Sequence, residues 1–524
     1  MSFFSMLQKV LGVCCTWPLP ANVRHGARAL VCAAVAIGLG ATLGGCSVKP
    51  KQFSSADLTR IAADNAARVD QGQEPLTGPV TLDEAIARAL KYNLDYRVEE
   101  METRLRTQQL HLAHFDMLPG VVANQLYDGR NNYSGGQSRE ILSPTRLGDL
   151  SLRSSTSMER EIESADLAFS WNILDFGLSY VRAKQSADRV LVAMENRRRV
   201  VRKVIEDVQI AYWRAVTASR LGGKLRALAS RVEKALDGNV ALLKQAESSP
   251  LDALRSEREL LSIKKKIEGF DADLSVAKTQ LAALMNVRPG DNFTIEVPDD
   301  LAPPPFLDMS ADEMVDRALL MRSELREVGY QLRINKHEAE AALLELLPGL
   351  TLGAGPNWSS NEFLYSNSWI GWSAKASWNL MKVFSYPARE AEINARDNLL
   401  EARSLAVAMA IMTQVYASRA RLTHARQRFK TSARQYRVQT DILSKIRLGF
   451  SSGSESEQSV IREEMDTLVS RIEYDLAYIE LCSAYANALS AIGDDLIGQG
   501  QVETMPLAEI KSRLRGSMVA AQAS

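Results

Sequence analysis

The chain has 524 residues, of which 46% are hydrophobic, so it can bury a large core. Its 63 basic and 63 acidic side chains balance, and the charge therefore gives no indication of nucleic-acid binding. The cysteines provide neither a disulfide framework nor a metal-binding spacing, because only Cys46 and Cys482 lie beyond the first 45 residues.

Residues 1–45 have the pattern of a signal peptide. Basic residues precede an apolar run at 29–43 that is too short for the ~20 residues of a membrane-spanning helix. The run ends in LGGC at 43–46, which resembles the bacterial lipobox, so Cys46 is expected to carry a covalent lipid. A signal peptide with a chance cysteine is the alternative. The polar residues 46–80, punctuated by glycine and proline, are predicted to form a lipid-anchored tether.

The rest of the chain contains an internal repeat. LDEAIARAL at 82–90 is echoed by ADEMVDRAL at 311–319, an offset of 229 residues that falls to 207 at Trp171 and Trp378. The first half therefore contains an insertion. Because insertions gather in exposed loops, we place it in the loop of a β-hairpin near residues 127–158.

Two stretches alternate like strands with one apolar side, and both pass through Ser-Trp-Asn, at 170–172 and 377–379. Their apolar sides include Phe169 and Trp171 in the first stretch and Trp372 and Trp378 in the second. The opposite sides are polar or small. They include Ser170, Asn172, Lys375 and Asn379.

Each half is predicted as a helix, a hairpin, a long helix, a turn and a returning helix. The predicted helices span 81–117, 178–245 and 251–285 in the first half and 311–346, 387–450 and 456–492 in the second. At ~1.5 Å per residue the long helices measure roughly 100 Å, so two short helices placed end to end match one long helix. The long helices also carry coiled-coil spacing. The predicted seam comprises Val201, Val204, Val208, Ala211, Ala215 and Ala218, then Ala408, Ile411, Val415, Ser418, Leu422 and Ala425.

Membrane physics constrains the strands. An open sheet edge cannot stay in lipid, and closed barrels start at about eight strands, whereas this sequence predicts four. If the strands span a membrane, several chains must therefore share one barrel. A soluble sheet covered by the helices is disfavoured, because the helices are far longer than such a sheet and lack a wide apolar face.

The duplicated plan, the strand ending SWNILDFG at 170–177 and the lipobox resemble the TolC-like outer membrane efflux protein family over roughly residues 80–495. The helical turns of that family carry an aromatic residue, then glycine and serine at steps of three, and often Asp-Val-Leu. The second turn here has Phe450, Gly453, Ser456 and Ser459. The first has Leu243, Ala246, Ser249 and Asp252. Leu243, Ala246 and Ser459 depart from the family pattern.

The resemblance implies a mostly α fold with a small β part. Duplicated helical hairpins would form a trimeric helical barrel, and four strands per chain would contribute to a shared twelve-stranded transmembrane β-barrel. The implied domains are repeats at 81–286 and 311–493, joined by a proline-rich linker at 287–310. The linker and a C-terminal segment at 494–524 would surround the tunnel.

The implied function is that of an outer membrane channel in a tripartite export system. The homotrimer would passively conduct substrates delivered by an inner-membrane pump and a periplasmic adaptor, and it would contact outer membrane lipid. No cofactor is expected beyond the lipid on Cys46, and no nucleic acid. Alternatives with the same fold are a type I secretion channel and a polysaccharide or peptide export channel. A periplasmic adaptor-like lipoprotein is disfavoured because it lacks duplicated hairpins.

The resemblance also assigns site residues. Phe169, Trp171, Trp372 and Trp378 would face lipid. The adaptor-docking and gating turns would comprise Leu243, Ala246, Glu247, Ser249, Asp252, Phe450, Gly453, Glu455, Ser456, Glu457 and Arg462. Helix capping is the competing interpretation of the charged residues there, since 249–252 and 454–457 both have capping-box spacing. Gly453 is expected to end its helix in the left-handed conformation.

An enzymatic function is disfavoured. Only His111 and His114 are close in sequence, and two solvated helix-face histidines are a better interpretation than a metal pair. The sequence contains no nucleophile elbow, phosphate-binding loop or zinc spacing. Neither a catalytic residue nor a metal ligand is therefore assigned.

The lipid anchor is testable. We expect Cys46→Ser to abolish incorporation of a fatty-acid analogue and to leave the precursor uncut by the lipoprotein peptidase, because the thiol that accepts the lipid is gone. Metabolic labelling followed by mass measurement of the mature chain checks both. The idea fails if the variant is still labelled.

Overall fold

The computed structural model describes residues 50–69, 71–150, 153–244, 250–288, 290–298, 302–493 and 505–523, so Cys46 lies outside the described residues. The chain divides into two compact units, Met1–Gln71 and Gly72–Ser524. In the first unit, helix α1 (Ser55–Arg68) begins at a capping box in which Ser54 and Asp57 bond each other's backbone N–H.

The second unit is built from two similar halves. The first half contains α2 (Leu82–Tyr92), α3 (Leu94–Phe115), β1 (Gly120–Gly129), β2 (Gly135–Gly136), β3 (Arg139–Ser143), β4 (Arg146–Leu150), β5 (Ser155–Thr156), β6 (Glu161–Asn172), α4 (Ile173–Lys244), α5 (Pro250–Ser275) and α6 (Ala277–Leu284). The second half contains α7 (Ala311–Met321), α8 (Ser323–Leu344), β7 (Gly349–Ser359), β8 (Ser368–Ser377), α9 (Met381–Ser451) and α10 (Glu457–Ala491), and α11 (Leu507–Ala523) follows.

The fold is mostly helical (67%), with a small four-stranded sheet, as the sequence predicts. The long helices α4 and α9 have 72 and 71 residues. Helices α8 and α10 follow each other in the space between them, while α3, α5 and α6 pack along the other side of α4. Within the described residues, no helix is both long and apolar enough to span a membrane.

The helix predicted at the start of each half is wrong in one respect, because each is broken into two helices. The breaks fall at Asn93 and Arg322, which are equivalent through the repeat and have extended backbones with ψ 129° and 130°. Asn93 Nδ2 donates to the carbonyl of Leu284 at 3.2 Å, and Arg322 Nη1 donates to that of Ser490 at 3.3 Å. Each break therefore satisfies a carbonyl at the end of the last helix of its own half.

The predicted seam between the long helices and their neighbours is confirmed at its centre. Val208 and Ala215 are fully buried on α4, and Val415 is fully buried on α9. Ser418, the polar member, is 4% exposed, and its hydroxyl donates to the carbonyl of Val415 at 2.9 Å. A small polar residue is tolerated there because its hydroxyl is satisfied within its own helix.

The described residues of the linker between the halves, 287–288, 290–298 and 302–310, contact the helical wall. The carbonyls of the linker are held in succession by side chains of the helical wall, since Tyr212 Oη donates to Glu296 at 3.2 Å and Tyr478 Oη donates to Ala302 at 3.0 Å. Arg426 Nη2 likewise donates to the carbonyl of Pro305 at 2.7 Å. Each contact satisfies a backbone carbonyl of the linker.

Helix α11 packs against α2. Lys511 Nζ lies 2.5 Å from Glu84, and Arg515 Nε lies 2.6 Å from Asp83. Burial would raise the pKa of Glu84, but the hydrogen bonds from Lys511 and Arg88 outweigh it and lower the pKa. Glu84 is therefore held ionised at the start of α2, where a negative charge is favourable.

Candidate functional site

The four-stranded sheet has the antiparallel order β1-β6-β7-β8, and one of its faces is apolar. Val121 pairs with Phe169, Phe169 with Ala354, and Ala354 with Trp372. Directly paired residues point to the same face, so Phe169 and Trp372 share a face although they belong to different halves. The same face carries Ala123, Leu167, Trp171, Leu350, Leu352, Trp358, Ile370, Ala374 and Ala376.

The opposite face of the sheet is mostly polar or small, although the exposed side chains of Val122, Leu126 and Trp369 also lie on it. Lys375 pairs with Thr351, and Thr351 pairs with Asn172. Ser170 pairs with Gly353. The alternation read from the sequence in 165–172 and 370–377 therefore extends to β7, whereas β1 carries apolar side chains on both faces.

The apolar face is open within one chain. Trp372 is 85% exposed, and Phe169 and Trp171 are also exposed. Trp378 is exposed but lies one residue beyond β8, where its indole Nε1 donates to the carbonyl of Leu346 at 2.9 Å. Trp378 thus marks the junction of strand and helix rather than the middle of the sheet, a position where amphipathic aromatic rings are favoured.

Asn172 and Asn379 turn a strand into a long helix, a role that the strand prediction missed. Asn172 Oδ1 accepts from the backbone N–H of Leu174 at 3.0 Å, and Asn379 Oδ1 accepts from Met381 at 3.2 Å. Asparagine is a favoured capping residue, so Ser-Trp-Asn at 170–172 could have indicated the start of α4, whereas the capping position of α9 is Leu380, which makes no side-chain capping bond.

The turn between α9 and α10 has a glycine-dependent backbone. Gly453 has φ +79°, which confirms the predicted left-handed conformation. The N–H of Ser454 bonds the carbonyl of Gly449 at 2.9 Å, and that of Gly453 bonds Phe450 at 3.0 Å. This is a Schellman motif, which satisfies the last carbonyls of α9. Phe450 is exposed beside it.

Helix α10 is capped by Ser456 rather than by Ser454. Ser456 Oγ accepts from the backbone N–H of Ser459 at 3.1 Å, and α10 begins at Glu457. Ser454 instead donates its hydroxyl to the carbonyl of Gly449 at 3.0 Å. The predicted capping box over 454–457 is therefore wrong. The turn at Gly453 is followed by two further non-helical residues, so the capping residue is Ser456 and not Ser454.

Charged side chains beside this turn link helices from both halves. Arg462 on α10 binds Glu259 on α5, with distances of 2.7 Å from Nε and 2.9 Å from Nη2. Glu464 on α10 contacts Arg447 on α9 at 2.9 Å and also pairs with Arg231 on α4. The proposed gating residue Arg462 is thus one member of a set of ion pairs that join the returning helices.

The first turn is mostly outside the described residues, which exclude Ala246, Glu247 and Ser249. Helix α5 begins at Pro250, in agreement with proline at a first helical position. Leu243, Asp252 and Glu457 lie within helices, but their side chains are outside the described part of the structure. Glu455 is half-buried in the second turn.

The histidines His111 and His114 stack with ring centroids 6.4 Å apart on exposed positions of α3. Among the described residues, no group of three or more histidine, cysteine, aspartate or glutamate side chains could hold a metal ion.

Comparison of the coordinates with solved structures shows similar architectures. The Campylobacter jejuni CmeC outer membrane channel has a TM-score of 0.60 at 11% sequence identity and covers 90% of this chain and 98% of its own. The CusC transmembrane channel (TM-score 0.59, 16% identity) covers 81% and 96%, and the Neisseria gonorrhoeae MtrE outer membrane channel (0.58, 16%) covers 79% and 88%. The chain has the fold of TolC-like outer membrane efflux proteins.

The sequence comparisons add nothing to this likeness. No protein-family model and no curated protein matches the sequence. At 16% sequence identity, the similarity to CusC and MtrE is a similarity of fold.

The register of the sheet makes a direct prediction for Lys375 and Ala376, which are adjacent but face opposite sides. A midplane lysine facing lipid would cost about 2–4 kcal/mol, so the 375 side should be wet. In membranes, a cysteine at 375 should react with a water-soluble thiol reagent and a cysteine at 376 should not. Equal labelling of the two variants would contradict the assignment of the faces.

Proposed function

We propose that this protein is the outer membrane channel of a tripartite export system, which passively conducts substrates delivered by an inner-membrane pump and a periplasmic adaptor. The observation that carries the proposal is the continuous apolar face of a four-stranded sheet placed at the end of two long helical hairpins. The fold likeness to CmeC, CusC and MtrE supports it. The role is non-enzymatic.

The open edges of the chain support a homo-oligomer. Strands β1 and β8 are the sheet edges, and they continue into α3 and α9, which flank the helical wall. Helix α3 exposes apolar residues at heptad spacing: Leu94, Val98, Met101, Leu105, Leu112 and Phe115. Helix α9 exposes another set: Leu399, Leu405, Met409, Tyr416, Val438, Ile442 and Leu448.

These two edges fit a head-to-tail assembly. A groove of about 490 Å³ follows the exposed side of α9 and is lined by Met409, Thr413 and Ala417, among others. The exposed apolar residues of α3 could pack against this groove and the exposed apolar residues of α9, and a head-to-tail interface closes into a ring when the rotation permits. Three copies would give a twelve-stranded barrel and a helical tunnel.

Each of the predicted domains has a place in this proposed assembly. The repeats at 81–286 and 311–493 form the wall, and the linker at 287–310 with the segment at 494–524 surrounds it. The predicted signal peptide at 1–45 and the lipid on Cys46 would attach the tether at 46–80 to the outer membrane, with the helices in the periplasm.

One substitution tests the assembly and the channel together. Leu105→Glu places a charge on the exposed seam of α3 and should convert the oligomer into smaller species and abolish ion conductance in planar bilayers, because an unpaired charge is costly in an interface. Thr59→Glu, on an exposed position of α1 outside the wall, is the control and should change neither. Mass measurement in detergent and bilayer recording check these outcomes. A wild-type protein that is a monodisperse monomer with intact strands, or an oligomer that does not conduct, would overturn the proposal.

The turns at the far ends of the long helices are the proposed adaptor-docking and gating sites. Gly453→Val should destabilise the second turn by about 1–2 kcal/mol, because the left-handed conformation is strained for a residue with a Cβ. It should reduce adaptor cross-linking from position 455 in native cells. Gly453→Asn is the matched control, since asparagine tolerates this conformation, and should dock normally. Normal docking of the adaptor on the valine variant would contradict the proposal that docking depends on the left-handed backbone at Gly453.

A further inference from the structure

The contact between α4 and α8 has a counterpart that is open in one chain. Helices α3 and α8 are equivalent through the repeat, and both have 22 residues. The long helices α4 and α9 are equivalent as well, with the offset of 207 residues that relates Asn172 to Asn379. Helix α8 packs on both long helices, whereas α3 packs along α4. In the described part of the chain, α9 therefore has no comparable contact with α3.

The face of α4 that meets α8 is buried, except at the half-buried Val192. This face contains Leu178, Val181, Gln185, Asp188, Val192 and Glu195. The equivalent residues of α9 are all exposed, and they are Ser385, Ala388, Glu392, Ala395, Leu399 and Ala402. The same face of the long helix is thus covered in the first half and open in the second.

Near the sheet, the covered and the open contact differ by an exchange of large and small residues. Ala341 of α8 is buried in one cluster with Leu178 and Val181 of α4. Their equivalents are one large residue on α3 and two small residues on α9, namely Leu112, Ser385 and Ala388. Leu112 is exposed, as is Phe115 one turn further on. A groove of about 380 Å³ lies beside the two small residues, so α9 has room for the larger side chains of α3.

A hydrogen bond between the helices shows the same kind of exchange. Gln185 Nε2 of α4 donates to Glu338 Oε2 of α8 at 2.9 Å. The equivalent residues are Glu392 on α9 and Gln109 on α3, so the amide and the carboxylate have changed places. Gln109 Oε1 accepts from Arg106 Nη1 at 3.1 Å, which orients its amide nitrogen as a donor. The two exposed side chains can therefore form the equivalent bond with the direction reversed.

A third position is compensated within α3 itself. Arg333 of α8 binds Asp188 of α4. The equivalent residues are Arg104 on α3 and Ala395 on α9, which offers no carboxylate. Arg104 instead binds Glu100, one turn earlier on its own helix, at 2.8 Å, and α8 has a glycine at that position. A contact between α3 and α9 would therefore not leave this guanidinium without a carboxylate.

The same two offsets also give a register for the open edges of the sheet. Phe169 of β6 pairs with Ala354 of β7. Their equivalents are Ala376 on β8 and Gln125 on β1, the two edge strands. Ala376 and Gln125 both lie on the face that carries Phe169. Pairing of these two residues would keep each face of the sheet continuous, which a shift by one residue would not.

We infer that α3 of one copy packs along α9 of the next in the register of the α4–α8 contact. In this register Gln109 donates to Glu392, and Leu112 enters the groove beside Ala388. The inference rests on the proposed homo-oligomer and names the residues that meet in it. A head-to-tail interface joins two different surfaces of one chain, and both surfaces are present here. A helix of another protein fits less well, because the exchanges match α9 to a helix of the same chain.

The register is tested by oxidative cross-linking of the full chain in membranes, after replacement of the cysteine in α10 by serine. Leu112→Cys with Ala388→Cys should give covalent dimers and trimers. Leu112→Cys with Ala395→Cys, two turns along α9, should give about tenfold less product, because a disulfide needs Cβ atoms within about 4.5 Å. Val181→Cys with Ala341→Cys is the matched control, since these equivalent residues should link within one chain and give no covalent oligomer.

The hydrogen bond is tested by exchanging its two side chains. Gln109→Glu places a second carboxylate opposite Glu392 and should weaken association of the copies about tenfold per contact. Adding Glu392→Gln should restore association, because it recreates the donor and acceptor in the arrangement found between α4 and α8. Dilution of detergent-extracted protein followed by mass measurement gives both values. The double variant serves as the control for folding, since a chain that Gln109→Glu unfolds would not be restored.

The outcomes separate this inference from the proposed function. An oligomer that conducts ions but links through Ala395 rather than Ala388, or that the double exchange does not restore, overturns the register and leaves the channel standing. Linkage of Leu112→Cys to a different protein likewise overturns the inference, because it assigns this surface of α3 to another partner. A wild-type protein that is monomeric and does not conduct overturns the proposed function itself.

Discussion

The unpaired edges of the four-stranded sheet limit the surroundings in which this chain can be placed. An N–H or C=O group left unsatisfied in hydrocarbon costs several kcal/mol, so a sheet with an apolar outer face and two open edges cannot enter a membrane as one chain. The edges β1 and β8 continue directly into α3 and α9, whose exposed apolar residues also lack partners within the chain. In the assembly that we propose, further copies would cover the exposed residues of the helices and pair the edges of the sheet in the same way.

Much of this architecture follows from patterns with a fixed geometric meaning. Alternation with a period of two assigned Phe169 and Trp372 to one face, and pairing across the two halves confirms it. The step of three and four residues identified the buried seam, including Ser418. Gly453 could be placed in the left-handed conformation because glycine adopts it without steric cost. Each of these signals is local, and the first two are repeated in the other half of the sequence.

The features that were missed depend on contacts distant in sequence. Nothing near Asn93 or Arg322 shows that each will bind a carbonyl about 170 to 190 positions away, so an unbroken helix was the natural prediction. The capping residue Ser456 was displaced from the predicted Ser454 because the turn geometry, not the spacing of side chains, decides where a helix resumes. The ion pair of Arg462 with Glu259 likewise needs the packing of two helices from different halves.

The two halves reach the same backbone geometry with different residues. Asn286 and Gly493, equivalent through the repeat, both end the last helix with positive φ, at 56° and 79°. A Cβ at Gly493 would lie 2.9 Å from that of Met321, so the close approach excludes in the second half the asparagine that the first half tolerates. The backbone of the wall is therefore similar in the two halves, except that the returning helix of the first half is broken between α5 and α6 whereas α10 is continuous. Among the described residues, the largest difference between the halves lies in the loops beyond the sheet, 130–160 against 360–367.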